Sequence, residues 1–265
     1  MELDFQAIRS VQYEILLTVD EIFSAIDFKY FLDFGTLLGA RRHKGFIPWD
    51  DDIDIATAPA NLRSFCTDGS KLLPEHLIVV PHPVFPPALK IVDTRYSIIE
   101  RSKLHASGTH CISPGIDLFP FGYYRRLSRL LPTNTVGRIA QKRPTAGTRA
   151  RVMLKQNPST AVTFLAIAGI PTSLLSSFED LVQIEPGHNW MNGDPDLLVG
   201  HTLAMGTGIR SLPHSAVFPL QTIEFEKREF LAPKDTDAYL TKLYGDWRRP
   251  VEYPHHVLKA WKNTH

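Results

Sequence analysis

The sequence predicts an α/β or α+β fold, with a mixed sheet at its core and helices against its faces. Three observations lead there. Apolar residues near the N-terminus recur at helical spacing, as Ile8, Val11, Ile15, Val19, Ile22 and Ile26. The run Asp52-Ile53-Asp54-Ile55 alternates polar and apolar side chains, the pattern of a half-buried strand. Short apolar runs and helical patterns then interleave to the end of the chain. At 265 residues and 43% hydrophobic content, the chain can bury a core without disulfide or metal staples. It is read as one domain over 1–265 that carries a basic insertion at 123–178.

Each element follows from local signals. Leu3 to Ile26 reads as an amphipathic helix. Phe28 to Phe34 reads as a strand rich in aromatic residues. Gly35-Thr36 ends it, and Leu37 to Lys44 can form a helical turn. Gly45 to Trp49 is a loop, because Pro48 forces extension at Ile47. Asp52 to Ile55 is the next strand, and further strands are expected at Leu77–Val80, Leu89–Val92, Ser97–Glu100 and Ile116–Phe119. Phe225 to Phe230 reads as a strand or hairpin arm, and Asp235 to Tyr244 as a helix stopped by Gly245.

The chemistry concentrates in Gly35 to Asp54. On a strand, residues two apart face the same way, so Asp52 and Asp54 should project together while Ile53 and Ile55 enter the core. Two adjacent carboxylates repel unless a cation lies between them. A pair of oxygen ligands suits Mg²⁺ or Mn²⁺, and Mg²⁺ completes its shell with water and substrate phosphates. Backbone N–H groups at Gly35-Thr36, before a helical turn, could cradle a phosphate. Asp117, between Ile116 and Leu118, is the candidate third acid from a neighbouring strand. Arg41, Arg42, His43 and Lys44 lie between the glycines and the aspartates, where cations could neutralise a transferred phosphate. Trp49 is expected to pack beside the site. No histidine shows zinc-ligand spacing.

The run from Tyr30 to Ile55, YFLDFGTLLGARRHKGFIPWDDDIDI, resembles the signature of the LicD family. Ile116-Asp117-Leu118-Phe119-Pro120 resembles that family's second acidic strand, and Phe218 to Pro250 its C-terminal block, including Tyr244, Asp246, Trp247 and Arg249. The resemblance implies a nucleotidyltransferase-like core and Mg²⁺-dependent transfer of a phosphorylated small alcohol. Phosphocholine from CDP-choline is the first expectation, and ribitol- or glycerol-phosphate from a CDP-alditol the second. The acceptor would be a cell-surface or lipid-linked glycan, or a teichoic-type polymer. Position by position, the resemblance implies Asp52 and Asp54 as metal ligands, Asp117 as a further ligand or the base, and Gly35 and Thr36 as the phosphate-contacting turn. Where family members often carry another acid after Phe-Pro, this chain has Phe121-Gly122-Tyr123-Tyr124. Rival readings are nucleotidylyl transfer, a DxD glycosyltransferase, and a nucleotide-binding module without turnover.

A formal net charge of +1 favours no partner, and nucleic acid is not expected. The distribution is uneven, however. No Asp or Glu lies between Asp117 and Glu179, while nine Lys and Arg do. That stretch is either a solvated face or a surface for an anionic acceptor or an anionic membrane. The apolar run Ala161 to Phe178 is interrupted by Pro171 and falls short of a membrane span. Cys66 and Cys111 are too few for a disulfide framework and are expected to be buried. Met1 to Phe5 has neither a basic region nor a long apolar run, so a cytoplasmic protein is expected. The inner membrane face is where a lipid-linked acceptor would be met.

Overall fold

A computed structural model describes residues 2–82, 88–100, 110–112, 114–124, 198–201, 211–250 and 259–262. The expected basic stretch from Arg125 onward and the apolar run to Phe178 lie outside these residues.

Helix α1 (Phe5–Ala25) starts where Asp4 accepts a hydrogen bond from the Ala7 N–H at 2.8 Å. It follows a two-residue strand, β1 (Glu2–Leu3), that sequence periodicity folded into the helix. Its inward stripe is Ile8, Val11, Ile15, Leu16, Val19 and Phe23. Ile26, expected on that stripe, is 40% exposed just beyond the helix end. Ile26 leaves the stripe because it is the C-cap, where the backbone has already departed from helical geometry.

The following strand is shorter than expected. Strand β2 covers Tyr30–Leu32, and helix α2 already begins at Phe34, running to His43. Asp33 is the reason: its carboxylate accepts from the Phe34 N–H at 2.8 Å, an N-cap where sequence reading placed strand. Phe34 takes a left-handed φ of 38° to make that turn.

The main sheet runs β10-β9-β8-β3-β2, with β5 joining β8 and β4 joining β5. Its strands are β3 (Asp54–Thr57), β4 (Leu77–Pro81), β5 (Leu89–Asp93), β8 (Gly115–Tyr124), β9 (Leu198–His201) and β10 (Ser211–Pro213). Only β3 and β8 among these pair in parallel, so the sheet is mixed, as expected. A second, antiparallel sheet orders β1-β13-β6-β7, with β6 at Tyr96–Glu100, β7 at His110–Ile112 and β13 at Lys259–Lys262. Between β3 and β4 lies helix α3 (Pro59–Thr67).

The C-terminal part begins with a short helix, α4 (His214–Val217). The hairpin β11 (Gln221–Phe225) to β12 (Arg228–Ala232) turns on Glu226 and Lys227, both at positive φ, the two-residue turn that matches strand twist. Helix α5 (Thr236–Tyr244) is capped by Asp235 and ends at Gly245, whose φ of 73° suits glycine. Among the described residues no helix is long and apolar enough to cross a membrane.

An aromatic cluster anchors α1 and α3 to the sheet. Phe23 stacks on Phe28 at 3.9 Å between ring centroids and meets Phe65 edge-on at 5.0 Å and Tyr30 at 5.5 Å. Cys66, the next residue after Phe65, points outward and is exposed, contrary to expectation, because Phe65 takes the inward position of α3. The side chain of Cys111 is not described. Phe23→Ala should lower the unfolding free energy in urea by about 3–5 kcal/mol. Ile26→Ala should change it by about 0.5 kcal/mol or less. A loss at Phe23 no larger than at Ile26 would show that the ring cluster does not centre the core.

Candidate active site

Strand register creates the site. In the parallel ladder Asp54 lies opposite Asp117, and in the antiparallel ladder on the other side of β8, Asp117 lies opposite Lys90. Residues opposite one another share a face, so Asp54, Asp117 and Lys90 form one row across three strands. Asp52 precedes β3 instead of lying in it, so the loop, and not the strand pleat, places its carboxylate. The result is nevertheless a cluster. Carboxylate oxygens of Asp52, Asp54 and Asp117 lie within 4.8 Å of one another, and those of Asp50, Asp51 and Asp52 form an adjoining group.

Helix α1 holds the acidic loop by its main chain. Arg9 Nε donates to the Asp50 carbonyl at 2.8 Å, and Arg9 Nη2 donates to the carbonyls of Asp50 and Ile47. The Arg9 guanidinium also lies over the rings of Phe5 and Phe46. Gln12 Nε2 donates to the Asp51 carbonyl at 2.7 Å and to the Gly115 carbonyl at 3.4 Å, tying the loop to the start of β8. Both side chains are buried on the polar flank of a helix whose apolar stripe was the visible signal. With these carbonyls occupied by α1, the neighbouring carboxylates crowd together on the site side.

Helix α2 supports the cluster from below. The Asp54 N–H donates to Thr36 Oγ1 at 2.8 Å, and the Asp33 N–H donates to the Asp54 carbonyl at 3.0 Å. A Cβ at Gly35 would collide with the Asp50 carboxylate, so glycine is what lets Asp50 close on the helix. Gly35 and Thr36 thus stand in the first turn of α2 and shape the acidic cluster directly. Asp33 itself is fully buried. It accepts from Tyr239 Oη at 2.8 Å and lies 2.5 Å from His201 Nε2. The His201 ring stacks on Phe34 at 4.4 Å.

The electrostatics follow from burial. Asp50 is pushed up to about 8 by desolvation and by the neighbouring Asp52 and Asp51 charges, against the pull of Arg9. Asp54 rises well above the carboxylate range through burial and through Asp52, Asp117, Asp50 and Asp33. Burial also raises Asp117, although Lys90 pulls the other way. Lys90 Nζ lies 2.9 and 2.8 Å from the two Asp117 oxygens. Burial opposes its charge, yet Asp117, Asp52 and Asp54 hold the ammonium above its ordinary value. His82, 3.5 Å from Asp117, is lowered to about 4 by burial and by Lys90. Burial raises the Tyr244 phenol, as do the charges of Asp54, Asp33, Asp50 and Asp52, so α5 ends within electrostatic reach of the cluster.

Two of the cations at the end of α2 form ion pairs. Arg41 Nε binds Asp237 at 2.8 Å, and Lys44 Nζ binds Glu224 at 2.8 Å. His43 is exposed and Arg42 half-buried. Arg41 and Lys44 therefore hold α2 against α5 and the β11–β12 hairpin. Sequence reading missed Lys90, Arg9, Gln12, Asp33 and His201. A lysine inside the apolar run Ala88-Leu89-Lys90-Ile91-Val92 was the available signal for the first.

A mixed sheet here presents buried carboxylates from two paired strands. Residues 27–129 match the family described as LicD/FKTN/FKRP, nucleotidyltransferase domain. The matched stretch contains the whole row of Asp52, Asp54, Lys90 and Asp117. The lipopolysaccharide cholinephosphotransferase LicD of Haemophilus influenzae is 48% identical over 48 residues, 17% of this chain and 18% of its own. An uncharacterised protein of Rickettsia prowazekii is 46% identical over 43 residues, 16% of each chain. An uncharacterised protein of Rickettsia typhi is 46% identical over 43 residues, 16% of this chain and 14% of its own. The matches thus span less than a fifth of either partner's length.

Two variants test this geometry. Asp52→Asn removes a like charge, so the metal-free protein should melt higher, by about 2–4 °C for each kcal/mol gained. The same variant should lose the stabilisation that Mg²⁺ or Mn²⁺ gives the parent in a thermal melt. Thr36→Val leaves the buried Asp54 N–H without its acceptor and should cost about 1–3 kcal/mol in urea. Thr36→Ser should recover most of that loss, and equal stability in all three proteins would rule out the contact.

Proposed function

We propose that this chain transfers a phosphorylated small alcohol, phosphocholine first, from a CDP-linked donor to a glycan acceptor, using Mg²⁺ or Mn²⁺. The observation that carries the reading is the cluster of Asp52, Asp54 and Asp117 within 4.8 Å, inside the stretch that matches the LicD domain. An all-oxygen, carboxylate donor set fits a hard divalent cation, and Asp54, raised by burial and then by the charges of Asp52, Asp117 and Asp50, is where a cation would relieve repulsion. Asp52 and Asp54 would hold the ion, with Asp117 beside them as the third acid. Bound there, the ion would neutralise the diphosphate of the donor and the charge that develops on it.

The chain's own groups supply position. Thr36 and Asp33 fix the Asp54 backbone, Arg9 and Gln12 fix the preceding loop, and Lys90 fixes Asp117. An acceptor hydroxyl oxygen forms the new bond to the phosphorus that carries the alcohol. The bond from that phosphorus to the bridging oxygen breaks, and CMP leaves with the electron pair. The hydroxyl proton passes to a carboxylate of the cluster. The loose transition state of phosphoryl transfer asks little of a base. Lys90 keeps Asp117 paired as a carboxylate, which suits a structural or ligand role.

Contact of the acceptor with an anionic membrane would rest on residues from Arg125 onward, outside those described.

Incubation with CDP-choline, Mg²⁺ and a panel of bacterial glycan acceptors should release CMP and leave phosphocholine on the acceptor. CDP-ribitol and CDP-glycerol should turn over more slowly, and EDTA or Asp54→Asn should stop the reaction. Nucleotide retained on the product would mean nucleotidylyl transfer. Release of a nucleoside diphosphate from a sugar donor such as GDP-mannose would mean a glycosyltransferase. Binding of CDP-choline without CMP release across the panel would favour a binding module.

A further inference from the structure

Asp33 is a carboxylate with no exposure to solvent, and such a group is stable only while donors hold its oxygens. Its Oδ1 accepts from the Phe34 N–H and from Tyr239 Oη, both at 2.8 Å, and its Oδ2 lies 2.5 Å from His201 Nε2. Capping α2 needs only the first of these contacts. The other two reach 206 and 168 positions along the chain, into α5 and β9. The same residue touches the acidic cluster through its main chain, where its N–H donates to the Asp54 carbonyl at 3.0 Å.

Phe34, next in sequence, holds a φ of 38°. A non-glycine residue keeps that conformation only where its surroundings enforce it. The His201 ring stacks on Phe34 with 4.4 Å between centroids, and Phe119 meets it edge-on at 5.1 Å. His201 in turn stands opposite Phe121 in the β8–β9 ladder, with 5.2 Å between their rings. Asp117, Phe119 and Phe121 alternate along β8 and so share one face. That face carries, in order, the third acid of the cluster, the ring beside Phe34 and the ring beside His201.

We propose that His201 is a positioning residue of the metal site. It holds Asp33 and Phe34 in the turn that brackets Asp54, and so couples the seating of β9 to the binding of a divalent ion by Asp52 and Asp54. This rests on the metal-dependent reading above and adds a means of regulating that site. Coupling of this kind is reciprocal: what β9 contributes to metal affinity, the metal returns as stability of β9.

The test is Mn²⁺ titrated into the metal-free, full-length protein, with free Mn²⁺ read by its paramagnetic resonance signal. His201→Phe keeps a ring against Phe34 and removes the nitrogen that meets Asp33, while His201→Gln keeps a donor there. With folding checked by circular dichroism, His201→Phe should bind Mn²⁺ about tenfold more weakly than the parent, and His201→Gln should recover most of the affinity. A histidine that only supports the fold would lower the melting temperature and leave the affinity of the folded protein alone. Equal affinity in His201→Phe and the parent, or as large a loss in His201→Gln, would overturn the proposal. Should the variants fail to fold, hydrogen exchange in the parent decides. Saturating Mg²⁺ should slow exchange across Leu198–His201 several-fold more than across α3, and equal slowing or none would overturn the proposal. A parent that binds no Mn²⁺ would remove the metal-dependent reading and this inference with it. Mn²⁺ affinity that depends on His201, without CMP release from CDP-choline, would sink the transfer reading and leave this one standing. Mg²⁺-dependent CMP release with unchanged affinity in His201→Phe would do the reverse.

Discussion

Like-charge crowding is the constraint around which this protein is organised. Asp50, Asp51, Asp52, Asp54 and Asp117 gather their carboxylates in two adjoining groups, and Asp54 and Asp117 are buried. Such a cluster repels itself and is starved of water, so the chain must hold it by other means. Several long-range contacts serve that end. Arg9 and Gln12 hold the loop by its carbonyls, Thr36 and Asp33 bracket the Asp54 peptide, and Gly35 gives up a side chain so that Asp50 can approach. Lys90 brings a positive charge into the row itself.

The C-terminal block is part of the same scaffold. Glu226, in the turn of the β11–β12 hairpin, accepts from the Phe46 N–H at 3.1 Å through its side chain, and its own N–H donates to the Lys44 carbonyl at 2.8 Å. Tyr13 on α1 donates to the Glu226 carbonyl at 3.0 Å. One hairpin turn thus ties together α1, the end of α2 and the loop that leads to the aspartates. Arg41 and Lys44 add ion pairs at the exposed rim, which contribute little energy but fix direction. Residues about 180 positions apart in sequence meet here because the acidic loop has no regular hydrogen bonding of its own.

Much of the fold was legible in the sequence, for identifiable reasons. Strands β4, β5 and β8 carry unbroken apolar or alternating runs, and α5 is bounded by Asp235 and Gly245, so local signals suffice. The boundary at Asp33 was misread because an aspartate between Leu32 and Phe34 looks like an outward strand position until its capping bond is seen. Asp52, Asp54 and Asp117 were legible as acids set among apolar residues. Lys90 was not, because its meaning depends on facing Asp117 across a ladder, and register is a long-range property. The same holds for His201, whose carboxylate partner lies 168 positions away. The ion pairs of Arg41 with Asp237 in α5 and of Lys44 with Glu224 in β11 are likewise long-range contacts that no local signal shows.

Strand β8 is shared between two tasks. Its first half carries Asp117 between β3 and β5, and its second half, Phe121 to Tyr124, pairs antiparallel with β9, with Tyr124 opposite Leu198. The last described residue of β8, Tyr124, is thus paired directly with the first of β9, Leu198. Because that pairing pins the ends of the intervening sequence together, lengthening the connection costs only closure entropy, about 0.6 kcal/mol for each doubling. Asp117 lies upstream of that pairing, in a ladder of its own. The length of the intervening sequence can therefore change without altering the register that sets Asp54 opposite Asp117.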